Sequence, residues 1–512
     1  MLLAALPAST PEPSPIEPAQ IGGASRLDGS DGFRDAGRPP APFSDRSADA
    51  LARFEQQLTA YFGGTRNVPF AEKAAFYDWV IRRHHLERFG DLPGGRPAAI
   101  VHQTALLPKT PDGAGAFNPG PDTLTWNGVM LAAMSYRWAV TRDPAALEWV
   151  RVLIAGLEVG MKVTGQSGLP ARCLMKSDKP IGSLKLPYRL KNGVKVFVHS
   201  DAAKGTVNQI AAGLIVCQLL CRADLPAADR ERAARLSLEM ADHLVRHDYH
   251  LTEKTGKRTK YGDVTPRIGP QSVPFNAQVA YMIVAGGTAF GRDATTADPR
   301  AFARVKQAFD DLRGKHHVYY EVPTLLVRPQ RVGASPIVKG MNDRQHVLTA
   351  GYASLLLEWE LARKANAAAD GQFLYEMGRT PLYAMRGVRG QKNAMMAFQW
   401  GGLLMDGRRA AAILPDVRER QAEYAIGRQE IEIGVEHLRR FPLSRRSWIF
   451  EKAGANPNAW AAEQRPWDCY VWKADPTMTY RQTGPLMNKW AAGIDFLHAY
   501  WAARYWGIPG VQ

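Results

Sequence analysis

Asp122, Asp201 and Asp343 each stand just ahead of a long apolar segment, and His199 precedes the second of them by two residues. Carboxylates brought face to face share acid–base work on a C–O bond: one holds a proton for the leaving oxygen, the other directs water or attacks. A histidine beside them opens a second route, since a neutral imidazole accepts a proton near pH 7. Around these four lie Trp126, Arg172, Lys204, Arg344, His346, Trp400, Arg481 and Asn488, groups suited to holding a polar ligand that carries rings and negative charge. The arginine fork grips a carboxylate at two points, and aromatic faces stack on rings. Each residue also has a plainer use. Asp and Asn before a helix are favoured caps, and tryptophan mostly fills cores. Neither CxxC, HExxH nor GxxxxGK[ST] occurs, so the expectation is an enzyme without metal or cofactor.

These residues owe their positions to two kinds of segment that alternate along the chain. The first is apolar on all sides and rich in Gly and Ala: 128–140, 206–221, 275–290, 347–362, 393–405 and 486–505. A helix apolar around its whole circumference must be surrounded by protein. The second is amphipathic: 69–89, 144–160, 226–247, 299–314 and 416–441, with a weaker candidate at 373–385 that is expected to be short or broken by Pro381. Asp143-Pro144 and Asp298-Pro299 place a capping carboxylate before a proline at the first helical position. The order outer, inner, repeated six times, predicts an all-α fold, an (α/α)6 toroid of six helix hairpins. An open array needs polar capping repeats, and the last segment, with Trp490, Phe496, Tyr500, Trp501 and Tyr505, is the opposite of one. Strand signals are sparse; 194–200 and 318–329 read as small hairpins over one mouth. The long connections 91–121, 162–199, 248–270, 316–341 and 442–484 gather at that mouth.

Residues 1–48, opening MLLAALPAST and then rich in Pro, Ser and Gly, read as a disordered leader or the remnant of a signal peptide, and 49–512 as one domain. No run reaches the roughly 18 apolar residues that span a bilayer. A periplasmic or secreted location is expected, with a cytoplasmic one as the alternative. Cys217 and Cys221 read as core thiols, while Cys173 and Cys469 fall in connections where an oxidising compartment would let them pair.

The six-pair pattern, with DTLTWNGVMLAAMSYRWAVT opening the first inner helix and GIDFLHAYWAARYWG near the end of the chain, resembles the (α/α)6-toroid carbohydrate-active enzymes, a group of glycoside hydrolases, polysaccharide lyases and sugar epimerases. The resemblance is one of architecture and carries no catalytic residue across. The net charge of +16 and the connection 162–199, with eight Lys or Arg against Asp178 alone, add a preference for an acidic partner. Together they imply cleavage of glycosidic bonds in a uronate-containing glycan. Hydrolysis by a carboxylate pair is the favoured route, with Asp468 and Asp475 in reserve. The alternative is β-elimination with a His or Tyr base, served by His199, His346, Arg172, Arg344, Asn342, Tyr188 and Tyr480; a third reading is a toroid that binds a polyanion without turning it over. No nucleic-acid motif accompanies the charge.

Overall fold

The computed structural model describes residues 45–511 except 93–95, 111, 114, 121, 269–270, 273, 316–330, 333–334, 337–340, 387–388, 391, 456–471 and 473–477. The chain enters through α1 (Ala48–Tyr61), opened by Ser47, whose hydroxyl accepts the Ala50 N–H at 3.1 Å. Residues 45–48, assigned to the leader by the sequence reading, are described as part of this entry into α1. After α2 (Phe70–Val80) a π-helical turn, Ile81–His85, hands the chain to the hairpin β1 (Leu86–Leu92) and β2 (Arg96–Val101). The helical pattern of 69–89 ends early because the strand pairing takes its last residues; tertiary context overrides propensity here. The short β3 (Thr104–Leu106) and β4 (Ala116–Asn118) lead to the first inner helix.

Helices α3 (Thr123–Thr141) and α4 (Pro144–Lys162) follow, then β5 (Cys173–Lys176), β6 (Leu186–Arg189) and β7 (Lys195–His199). Next come α5 (Lys204–Leu220), α6 (Ala227–Arg246), β8 (His250–Thr252), β9 (Arg258–Asp263), α7 (Pro274–Phe290) and α8 (Pro299–Gly314). The second half holds α9 (Met341–Lys364), α10 (Gly371–Arg386), α11 (Ala394–Met405), α12 (Gly407–Ile413), α13 (Val417–Arg439), β10 (Arg446–Ala455), β11 (Met478–Ala491) and α14 (Ile494–Tyr505). Both proline-headed helices have their expected caps: Asp143 accepts the Ala145 N–H and Asp298 that of Arg300.

The apolar helices touch in sequence. Contacts run from α3 to α5, α5 to α7, α7 to α9, α9 to α11, α11 to α14 and from α14 back to α3. Their amphipathic partners pack against them, α4 on α3, α6 on α5 and α7, α8 on α7, α10 on α9, α13 on α11 and α2 on α14. One apolar cluster runs through both sets. At the α3–α5 crossing a Cβ on Gly128 would strike the Gln209 carbonyl, and one on Gly213 the Gly128 carbonyl, so only glycine permits this approach. Pro381 does not break α10; its ring occupies the space that Gly351 of α9 leaves open.

Strands are more extensive than an all-α expectation allows. Segment 194–200 is indeed a strand, β7, central in the antiparallel sheet β5–β7–β6, and 318–329 lies outside the described residues. The larger departure is β11, which runs between β10 and β3 in a four-stranded sheet, order β10–β11–β3–β4. The last inner helix was expected from residue 486 and starts at Ile494 instead. LMNKWA has helix-forming residues, but its backbone pairs on both sides, and Gly493 (φ 74°) makes the turn into the helix. No helix among the described residues is long and apolar enough to cross a membrane.

Candidate functional site

The N-terminal halves of α3, α5 and α9 come together. Thr125 of α3 donates to Thr206 of α5 at 3.1 Å, and Gln209 of α5 donates to Thr349 of α9 at 3.3 Å. Asn208 Nδ2 donates to the carbonyl of His346 at 3.2 Å and to its Nδ1 at 3.1 Å. With Nδ1 accepting, the neutral ring carries its proton on Nε2. That edge lies against Gly205, where a Cβ would come 2.7 Å from Nε2.

Over this junction opens a cleft of about 220 Å³ lined by Asp122, Thr125, Trp126, Arg172, Lys204, Thr206, Tyr261 and His346. Arg172 is fixed from two sides. Its backbone N–H donates to the His199 carbonyl at 2.8 Å, and its Nε donates to Asp122 Oδ1 at 2.9 Å. Its guanidinium carbon lies 6.0 Å from the centre of the Tyr261 ring, the reach of a cation–π contact. Asp122 does not cap α3; its carboxylate turns to Arg172 instead. The α5 start lacks a side-chain cap as well, since Ala203 occupies that position, and its positive end faces the cleft beside Lys204.

His199 and Asp201 lie between β7 and α5 and are not among the residues that line the cleft. Asp201 Oδ1 accepts the Lys260 N–H at 2.9 Å, tying α5's approach to β9, and Ser200 donates to Glu253 at 2.8 Å. Burial, helped by the Arg172 charge, lowers the His199 pKa, while Asp201, Asp122 and Glu253 oppose the shift; the imidazole is therefore neutral at pH 7. Its Nδ1 is buried without a hydrogen-bond partner.

Five of the ligand-holding or catalytic candidates thus share one cavity: Asp122, Trp126, Arg172, Lys204 and His346. Trp400 does not join them, being buried in the apolar core midway along α11. Arg481 and Asn488 were expected at a helix start and sit on β11; Arg481 pairs with Glu451 in the open, and Asn488 accepts from Arg446 at 2.9 Å. Asp343, Arg344 and Asn342 lie outside the residues whose side chains are described, as do Asp468 and Asp475. Tyr261, half-exposed on β9, is a cleft residue that sequence reading missed. Its only signal was membership of the long connection 248–270. Cys173 is a buried thiol donating to Thr123 at 3.3 Å, its pKa pushed up to about 12 by burial; Cys469 lies outside the described residues. Among the described residues no group of His, Cys, Asp and Glu is placed to hold a metal ion.

No family model matches the chain, and no curated protein matches it in sequence. Among solved structures it is similar to the glycoside hydrolase family 9 endoglucanase J30, with TM-score 0.34 and 13% identity over 76% of this chain and 73% of that one. A zinc-binding triple mutant of the same endoglucanase gives TM-score 0.33 and 13% identity over 86% and 84%.

Proposed function

We propose that the chain is a carbohydrate-active enzyme, one closed (α/α)6 toroid from about residue 45 onward, that cleaves glycosidic bonds of a uronate-containing glycan outside the cytoplasm. The observation that carries this is the make-up of the cleft. Arg172 and Lys204 offer positive charge for a sugar carboxylate, and Tyr261 offers aromatic surface for its ring, with Trp126 buried in the wall behind. The Arg172 Nε is taken by Asp122, which orients the guanidinium.

Within this cleft elimination fits better than the hydrolysis expected from sequence. Asp122 is the one lining carboxylate among the described residues, and it is committed to Arg172. In elimination, neutral His199, joined to the cleft through its carbonyl's bond from the Arg172 N–H, takes the proton from the carbon beside the uronate carboxylate. The freed electron pair forms a ring double bond, and the glycosidic oxygen leaves with a proton from Tyr261. Arg172 and Lys204 hold the charge that develops on the carboxylate. Hydrolysis is the second reading, favoured by Asp201, which precedes α5 as Asp122 precedes the neighbouring α3; that chemistry needs two carboxyls about 5–9.5 Å apart.

Incubation with a panel of uronic-acid polysaccharides, followed by mass spectrometry, separates the routes. Elimination gives products whose masses sum to the substrate, and hydrolysis adds one water per bond. His199→Ala is expected to cut kcat by roughly 10²-fold or more, the usual worth of a general base, while Asp201→Asn retains most of it. The reverse pattern, with water added, transfers the assignment to hydrolysis. No turnover of any acidic glycan defeats both.

A further inference from the structure

The basic excess of the chain is unevenly placed. On the outer helices acids and bases are matched: Glu158 takes Lys162, Arg232 and Arg235 at 2.6, 2.6 and 2.5 Å, and Asp242 takes Arg246 and Arg304 at 2.8 Å each. The stretch 162–199 has no such supply of acid. Folding turns it into the sheet β5–β7–β6, in which β5 and β7 are largely buried and β6 is an edge strand exposed along its whole length. That edge displays Leu186, 53% exposed, and Tyr188, 36% exposed. Lys179, Lys185 and Lys191 flank it, all exposed.

Lysines on an edge strand have a common structural role, discouraging pairing with other chains. A half-exposed leucine and a partly exposed tyrosine work against that role, so protection alone does not explain this edge. The sheet is also continuous with the cleft. β5 begins at the residue after Arg172, β7 ends at His199, and the Lys185 N–H bonds to the Val198 carbonyl at 3.2 Å. Four residues of strand carry the sheet about 13 Å outward from that end.

We propose that this sheet edge is a second binding surface for the acidic glycan, taking the length of polymer that runs out of the cleft. The lysines meet its carboxylates, and Leu186 and Tyr188 meet its ring faces. The proposal rests on the cleft being a glycan site, and it makes recognition depend on chain length.

Binding of labelled alginate polymer and of alginate tetrasaccharide, at low salt, tests it. Lys179→Glu/Lys185→Glu/Lys191→Glu, which leaves every cleft residue in place, is expected to weaken polymer binding roughly ten-fold while tetrasaccharide binding stays within about two-fold. Tyr188→Ala alone should weaken polymer binding in the same selective manner. Unchanged polymer affinity in the triple variant, equal losses at both lengths, absence of wild-type polymer binding, or equally tight binding of random duplex DNA each overturn the proposal. Arg172→Ala reports on the cleft separately: intact tetrasaccharide binding in that variant removes the glycan reading of the cleft, whatever the sheet variants do.

Discussion

At the scale of single residues, chemistry legible in the chain was a matter of residue type next to an apolar segment. Asp122, Lys204 and His346 were found that way, and the fold puts all three on one cavity. Their plain alternative, helix capping, holds for Asn393, which accepts the Met396 N–H at 3.1 Å, and fails for Asp122, which turns to Arg172. Tyr261 carried no such mark because it reaches the cleft from a strand far along the chain. Burial leaves its own signature at Glu55 of α1, whose carboxyl is pushed up to about 8 despite hydrogen bonding from Ser444 and the charge of Arg446. The folded state thus favours the protonated acid. This contribution to stability is complete below the ordinary value of 4.5 and is lost as pH rises through about 8. Glu55→Gln should therefore melt higher than wild type at pH 9 and show no gain at pH 4, measured by thermal denaturation across that range; parallel curves would disprove the burial argument.

At the scale of elements, periodicity located the inner and outer helices well wherever the neighbours were other helices. It failed at both ends of the body, in α2–β1 and at β11, where helix-compatible residues are recruited into ladders by partners distant in sequence. Close packing at the α3–α5 crossing is what brings Asp122, Trp126, Lys204 and Thr206 to one cleft. Gly213→Ala forces a methyl into the Gly128 carbonyl and must push these helices apart. The expected cost is about 1–3 kcal/mol of overpacking, read from the urea midpoint, with a larger loss of glycan affinity than a Gly→Ala such as Gly427→Ala, where a Cβ meets open space. Wild-type stability in Gly213→Ala would show that the crossing is looser than described.

At the scale of the whole molecule, the contacts of the six apolar helices return to their start through α14 and α3. α14 also holds Asp495, buried in an ion pair with Arg445 at 2.6 Å. A closed ring loses cooperativity when one member is removed, whereas an open array sheds only a terminal unit. A chain ending at residue 491 should then lack a cooperative thermal transition and a near-ultraviolet circular dichroism signal; a clean transition only slightly lower would favour the open array. The sequence by itself determined the alternation of fully apolar and amphipathic helices, because burial on all sides leaves a compositional trace in every segment. It also determined the basic excess of 162–199, which is a sum over residues. Only the tertiary structure decided which of the candidate residues share a cavity, that Arg172 takes Asp122 away from capping, and that the basic stretch becomes an exposed sheet edge. Those are facts of distance between segments remote in the chain, and spacing along a sequence does not contain them.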